Sequence, residues 1–428
     1  MASAAIQPAP TPAPATPSEW HPATRVAFRF AFCYLGLYSM VVIGNVQGLF
    51  PYERLWHSIV PWVGQHILHL SQPITYFPSG SGDKTSDWVL LLCHLVISVV
   101  ATAVWSIFDR RKEYTRLNEW LRVLLRYSAA WTMVVYGTVK VVKLQFPDPS
   151  LARLLEPLKD FSPMGLLWTF MGSSVPYNFF AGCCELLGIL LFFRRTTTLG
   201  ALLTAAVMAN VAMLNFAYDT PVKLLSTHVI LMCAYLAIPD LRALFDFFVR
   251  NKPAAPAAVR PLFAGRRMRL AAGITKTLFL VYLLVTSAIG MRQGAQQYGS
   301  GAPKSPLYGI WDVEEFTRDG ATLPPLLTDK ERWRRMITQQ PNGITIQGMD
   351  DSRRFFAVRF DSAKSKIWSD DAQTELSLAW SRPDSGHLTL TGDVRGHLLT
   401  VRLKRMDETK TNLLGRGFHW VSERPFNR

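Results

Sequence analysis

Apolar positions run almost unbroken through seven stretches, at about 24–48, 87–108, 121–146, 177–193, 198–216, 222–247 and 270–290. A helix needs roughly 20 such residues to cross a bilayer, so each stretch predicts a transmembrane helix. The fourth and fifth are short and separated by Arg194-Arg195-Thr196-Thr197-Thr198, which predicts a tight helical hairpin. Beyond Arg292 the pattern changes to period two, in "GITIQGM", "RFFAVRF", "ELSLAW", "HLTLTG" and "LLTVRLKRM". These read as strands, with turns at "NG", "DDS" and "PDSG". "LTDKERWRRMI" reads as one short helix among them. The expected fold is therefore a membrane all-α bundle of about seven transmembrane helices, followed by a small antiparallel β sandwich or barrel. The expected domains are a disordered Pro/Ala-rich tail over 1–22, a helical membrane domain over 23–291 and a β domain over 292–428. The tail has almost nothing to bury and lacks the form of a cleaved signal peptide.

The net charge of +15 invites a nucleic-acid reading until it is placed. From Arg292 onward there are 21 Lys+Arg and 17 Asp+Glu, a net of +4. The remaining +11 lies in the apolar part, mostly in short loops, which is membrane topology and not a nucleic-acid surface. With a cytoplasmic N-terminus the inner loops carry 13 basic residues, from Arg110 to Arg269, and the outer loops carry five: Arg54, Lys84, Arg153, Lys159 and Lys223. The positive-inside rule selects that orientation. It predicts a multi-pass membrane protein with a cytoplasmic N-terminus and an extracytoplasmic C-terminal domain.

Several residues call for chemistry and have a plainer alternative. Cys33, Cys93, Cys183, Cys184 and Cys233 all sit in apolar runs, as small core residues do. His66 and His69 lie three apart on an amphipathic outer segment, but with no third ligand a wetted interfacial face explains them better. Gly172-Ser173-Ser174 offers backbone donors to an anion, or simply a helix cap. The C-terminal "GRGFHWVSERPFNR" is either a docking surface or a set of aromatics closing the β core, the second being the ordinary case. His419 stands alone there.

Lys140 is harder to dismiss. It lies well inside the third apolar stretch, and its side chain leans away from the nearest water, unlike Lys143. Glu185, Asn210 and His228 fall on the next three stretches, and all four lie at a similar depth of roughly 9–12 Å. Tyr136 shares the face of Lys140 one turn away. A rim of Asn215, Tyr218, Asp219 and Lys223 joins the fifth and sixth stretches, and Pro163, Pro176 and Pro221 limit how the helices there can start. In one reading Lys140–Glu185 is a buried pair that fixes helix register, weak glue of under about 1–2 kcal/mol. In the other the layer lines a cavity, with Lys140 and Glu185 as candidate catalytic or ligand-binding groups. Four polar residues on four stretches favour the cavity, because a register pair needs only two.

"YGTVK" (Tyr136–Lys140), Ser162–Leu203 and Asn210–His228 together resemble the DoxX-like family of integral membrane proteins. The resemblance covers roughly Trp131 to Asp240 and implies a four-helix membrane core. The family's tyrosine, glycine and lysine fall on Tyr136, Gly137 and Lys140, and its glutamate falls on Glu185. The extra spans and the β domain depart from the minimal family and look like a longer bacterial subtype, which implies a bacterial inner (plasma) membrane and a periplasmic C-terminal domain. Some relatives are linked to quinone-dependent sulfur oxidation or to envelope redox complexes. The resemblance thus implies a quinone-like or other lipid-soluble ligand and an oxidoreductase setting in the envelope. No haem, iron–sulfur, zinc or dinucleotide signature is present, so any electron carrier would be a membrane-soluble quinone or belong to a partner. The alternative is a non-enzymatic envelope scaffold whose β domain recruits a protein partner or lipid. Seven spans without an evident inverted repeat argue against a secondary transporter.

Overall fold

The computed structural model of the chain describes residues 19–47, 52–77, 79–253, 262–263, 265–298, 301–370 and 375–427. Residues 1–18, most of the expected disordered tail, lie outside them. The helices are α1 (Pro22–Gln47), α2 (Tyr52–His66), α3 (Thr85–Phe108), α4 (Thr115–Val141), α5 (Leu151–Leu154), α6 (Pro163–Ser173), α7 (Val175–Leu186), α8 (Thr197–Ala217), α9 (Lys223–Ala237), α10 (Leu241–Phe248) and α11 (Arg266–Gln297). Among the described residues six helical segments are long and apolar enough to cross a membrane, which is compatible with a multi-pass membrane protein. The stretch expected as the third span is helical, as α4, but is not among these six. Arg116, Glu119, Arg122, Arg126 and Lys140 dilute its apolar character. Its apolar face is instead buried, through Leu121, Leu125, Ala129, Ala130 and Met133.

The chain divides into two compact units. The first comprises the chain up to Thr138 together with Gly182–Tyr282. In it α2 turns Tyr52, Trp56 and Val60 inward against Val89 and Cys93 of α3, and leaves Ile59 and Trp62 exposed, as an interfacial helix does. α7 tightens into a 3-10 turn over Leu187–Phe192 before α8, the hairpin expected from the sequence. Gly188 makes this possible, because a Cβ there would lie 2.4 Å from the Cβ of Met133. Arg29 of α1 is buried, and its guanidinium donates to the Tyr114 hydroxyl, to Ser106 Oγ and to the carbonyl of Asp109. A charge at this depth is tolerable because its donors are used.

The second unit comprises Val139–Ala181 and Leu283–Arg428. Its sheet contains β1 (Gly309–Arg318), β2 (Ala321–Thr322), β3 (Trp333–Thr338), β4 (Gly343–Gly348), β5 (Arg353–Ala357), β6 (Arg359–Asp361), β7 (Lys366–Trp368), β8 (Leu376–Ser381), β9 (His387–Val394) and β10 (His397–Met406). The strand order is β5-β4-β3-β1-β10-β9-β8-β7-β6, antiparallel throughout, with β2 added to β1. The edge strands β5 and β6 are separated in sequence by Val358 alone, so the sheet curls into a nearly closed barrel with little free edge. Alternate residues fill it: Ile344 and Ile346, Leu376 and Leu378, Leu388 and Leu390, and Leu399, Val401 and Leu403.

Three expectations change here. The segment "LTDKERWRRMI", expected as a helix, is turn and bend up to Arg332 and then enters strand β3. A register shift between Trp333 and Arg335 breaks its alternation and leaves Trp333, Met336 and Ile337 buried, which is the spacing of a helix face. The aromatics of the C-terminal segment do not close the core, since Phe418, Trp420 and Val421 are exposed. The expected boundary at 291/292 omits the loop after α4. Leu151 of α5 packs on Ile310 and Ile337 of the barrel, and its backbone N–H donates to Gln339 Oε1 at 3.0 Å.

Candidate functional site

The first unit holds a cavity of about 360 Å³, lined by Tyr38 of α1, Leu90 and His94 of α3, Tyr136 of α4, Leu224 of α9 and the loop Gly80–Gly82. That volume lies in the range of small-molecule sites. Its mouth is firmly built. Asp83 accepts from the backbone N–H groups of Lys223 and Leu224, at 2.8 and 3.0 Å. A carboxylate thus satisfies the open donors of α9 and complements the helix dipole. Gly82 donates to the carbonyl of Pro221, and Asp87 Oδ2 accepts from the backbone N–H of Lys84 at the start of α3.

His94 is completely buried, about 14 Å along α3 from its first residue. Its Nε2 lies 2.9 Å from the Tyr52 hydroxyl. Its Nδ1 has no hydrogen-bond partner among the described residues. With the Tyr52 hydroxyl donating to Nε2, the neutral ring carries its proton on Nδ1. In the other tautomer Nδ1 is an acceptor. An orphaned polar atom at this depth is expensive unless something fills its site. Nearby, His228 stacks on Tyr38 with ring centres 3.6 Å apart and planes 9° apart. The two His228 nitrogens are used, at 2.7 Å from the Leu224 carbonyl and 2.8 Å from the Tyr34 hydroxyl.

The residues singled out from the sequence distribute unevenly. Tyr136 lines the cavity, and His228 supports its Tyr38 wall. Glu185 is buried in the first unit. Lys140 is buried in the second, with its Nζ 5.8 Å from the centre of the Phe146 ring. Lys140 and Glu185 are both engaged in polar or electrostatic contacts. Asn210 departs from expectation: it lies on an exposed face of α8, outside any interior polar layer. The rim residues form the turn between α8 and α9. Asn215 donates to the Val222 carbonyl and Ser226 Oγ, Lys223 pairs with Asp219 at 2.9 Å, and Tyr218 ends α8. Asp219 has a φ of +52°, which an aspartate tolerates better than most residues. Ser174 caps α7 by accepting from Tyr177 N–H, so Gly172-Ser173-Ser174 contains a helix cap. Gly172 is there for space, because a Cβ would lie 2.3 Å from the Pro147 carbonyl oxygen. His66 is exposed and stacks on Trp62.

Sequence reasoning missed Tyr34, Tyr38, Tyr52 and His94. Only His94 left a signal, as the one strongly polar residue in "VLLLCHLVISVV".

No family model matches the chain, and no solved structure matches it. A stretch of 129 residues, 30% of the chain, is 34% identical to the uncharacterized protein YwoB of Bacillus subtilis (strain 168) and covers 81% of that protein. The chain therefore belongs to the family of YwoB, extended by more than two-thirds of its own length beyond the shared stretch.

Proposed function

We propose that the cavity binds a lipid-soluble small molecule with a hydrogen-bonding head, a quinone being the best chemical fit. The observation that carries this is the unpartnered Nδ1 of a fully buried histidine in the wall of a roomy cavity. Imidazole suits both states of such a ligand, donating to a quinone carbonyl in one tautomer and accepting from a quinol hydroxyl in the other. Tyr38 and Tyr136 supply flat apolar walls with polar tips, and Leu90 and Leu224 supply the apolar surround. The proposal places the cavity in the outer half of a bacterial plasma membrane, with the basic loops cytoplasmic, as the charge distribution favours. The DoxX-like resemblance of Tyr136–Lys140 belongs to the same proposal, and so does a place in an envelope redox system. Titration of the purified full-length protein with a short-chain quinone tests the binding. Saturable binding that weakens at least roughly fivefold in His94→Leu, the loss of about one hydrogen bond, supports it. Binding that is absent, or indifferent to His94, refutes it.

A second reading has its own observation. The exposed Phe418, Trp420 and Val421 beside Arg416 suit a β domain that recruits an envelope partner. Deleting 416–427 then abolishes recruitment and leaves ligand binding untouched. Unchanged recruitment removes this reading.

A further inference from the structure

A second cavity in the first unit, of about 780 Å³, lies among α4, the 3-10 turn Leu187–Phe192 and α11. Trp120, Tyr127, Phe192 and Phe279 make its apolar walls, and Arg126, Arg194 and Lys276 all reach it. Arg126 is 6% exposed. Its Nε donates to the Leu191 carbonyl at 2.8 Å, and among the described residues its two terminal nitrogens have no hydrogen-bond partner. Lys276 donates to the Phe192 carbonyl at 2.7 Å. Arg194 pairs with Glu119 at 2.6 Å, so that one charge is matched. The ordinary account is that Arg126 and Lys276 cap the open carbonyls at the end of the 3-10 turn. That account uses one of Arg126's five donors and one of Lys276's three, and leaves a buried guanidinium and a half-buried ammonium with donors to spare beside an apolar space.

We propose that this cavity is a binding site for an acidic phospholipid, its phosphate held by Arg126 and Lys276 and its upper acyl chain laid along Trp120 and Phe279. A phosphodiester shares one negative charge over two free oxygens, one to accept from the forked guanidinium and one from the ammonium. The neighbouring chain ends carry Arg195, Arg266, Arg267 and Arg269, which suit a headgroup layer.

The full-length protein is exchanged into detergent with equal amounts of phosphatidylglycerol and phosphatidylcholine of identical chains. Native mass spectrometry then reads the lipid retained. Wild type should keep phosphatidylglycerol preferentially, and Lys276→Gln and Arg126→Gln should each reduce the preference roughly fivefold. Because both side chains also hold carbonyls, unfolding without added lipid is measured in parallel. Variants that unfold more easily yet keep the wild-type preference show capping alone and overturn the proposal. Equal retention of the two lipids by wild type overturns it too, as does retention of added oleate in place of phosphatidylglycerol.

Discussion

His94 and Asn210 show how one residue's surroundings decide its meaning. Both are strongly polar residues within apolar runs, and hydropathy cannot tell which way either faces. His94 points inward to a cavity, whereas Asn210 lies on an exposed face. Asn210→Leu should therefore change stability by no more than about 0.5 kcal/mol and leave ligand retention unaltered. Tyr136→Phe keeps the flat wall, removes its polar tip and should weaken ligand retention. Arg29 makes the opposite point, since every nitrogen of its guanidinium has a partner. Replacing it with Met strands the Tyr114 hydroxyl and the Asp109 carbonyl, and should cost about 2–3 kcal/mol, read as a lower unfolding midpoint in detergent. Glu185 and His228 stand out in the sequence as polar side chains in apolar runs, and Tyr136 as the neighbour of Lys140 one turn away. Tyr34 and Tyr38 were not, because tyrosine is common near membrane interfaces and carries no period of its own.

The apolar runs translate into elements well, and the exceptions have definite causes. α4 reads as a span because of its long apolar run, but Arg116, Glu119, Arg122, Arg126 and Lys140 keep it out of the six apolar segments found among the described residues. β3 reads as a helix because a bulge resets its alternation. The short β7 leaves too few residues to show a period. Backbone crowding decides the entry to α7, where Gly172→Ala would force a methyl group against the Pro147 carbonyl and should cost about 1–3 kcal/mol, seen as earlier unfolding. In the barrel, Asp319 bonds to His397 and to the backbone of Leu398, and these bonds hold its carboxyl below the ordinary value of 3.8, the His397 bond foremost. A depressed folded pKa stabilises above the unfolded value and is lost as pH falls through the folded one. Acid titration of stability should therefore show a loss as pH falls through and below about 3.8 that Asp319→Asn lacks, and an equal loss in both proteins contradicts the assignment.

At the scale of the whole chain, the change from helical to period-two patterning marks the two kinds of architecture. It does not mark the compact units, because the loop after α4 joins the barrel through Leu151, Ile310 and Ile337. Apolar pattern reports what each segment buries, not which distant segment it meets. A fragment beginning at Ser305 keeps the barrel core but bares Ile310 and Ile337. It should unfold cooperatively with a stability lower by roughly 1.5–3 kcal/mol than when Leu151 covers them. The central claim is that the cavity beside His94 holds a lipid-soluble ligand with a polar head. The most direct measurement is mass spectrometry of organic extracts from purified full-length wild type and His94→Leu, both shown to be folded. The account predicts a quinone or similar carbonyl-bearing or hydroxyl-bearing apolar molecule in near-stoichiometric amount from wild type, and its loss from the variant. An empty wild-type extract, or the same ligand at the same level in both, would contradict it.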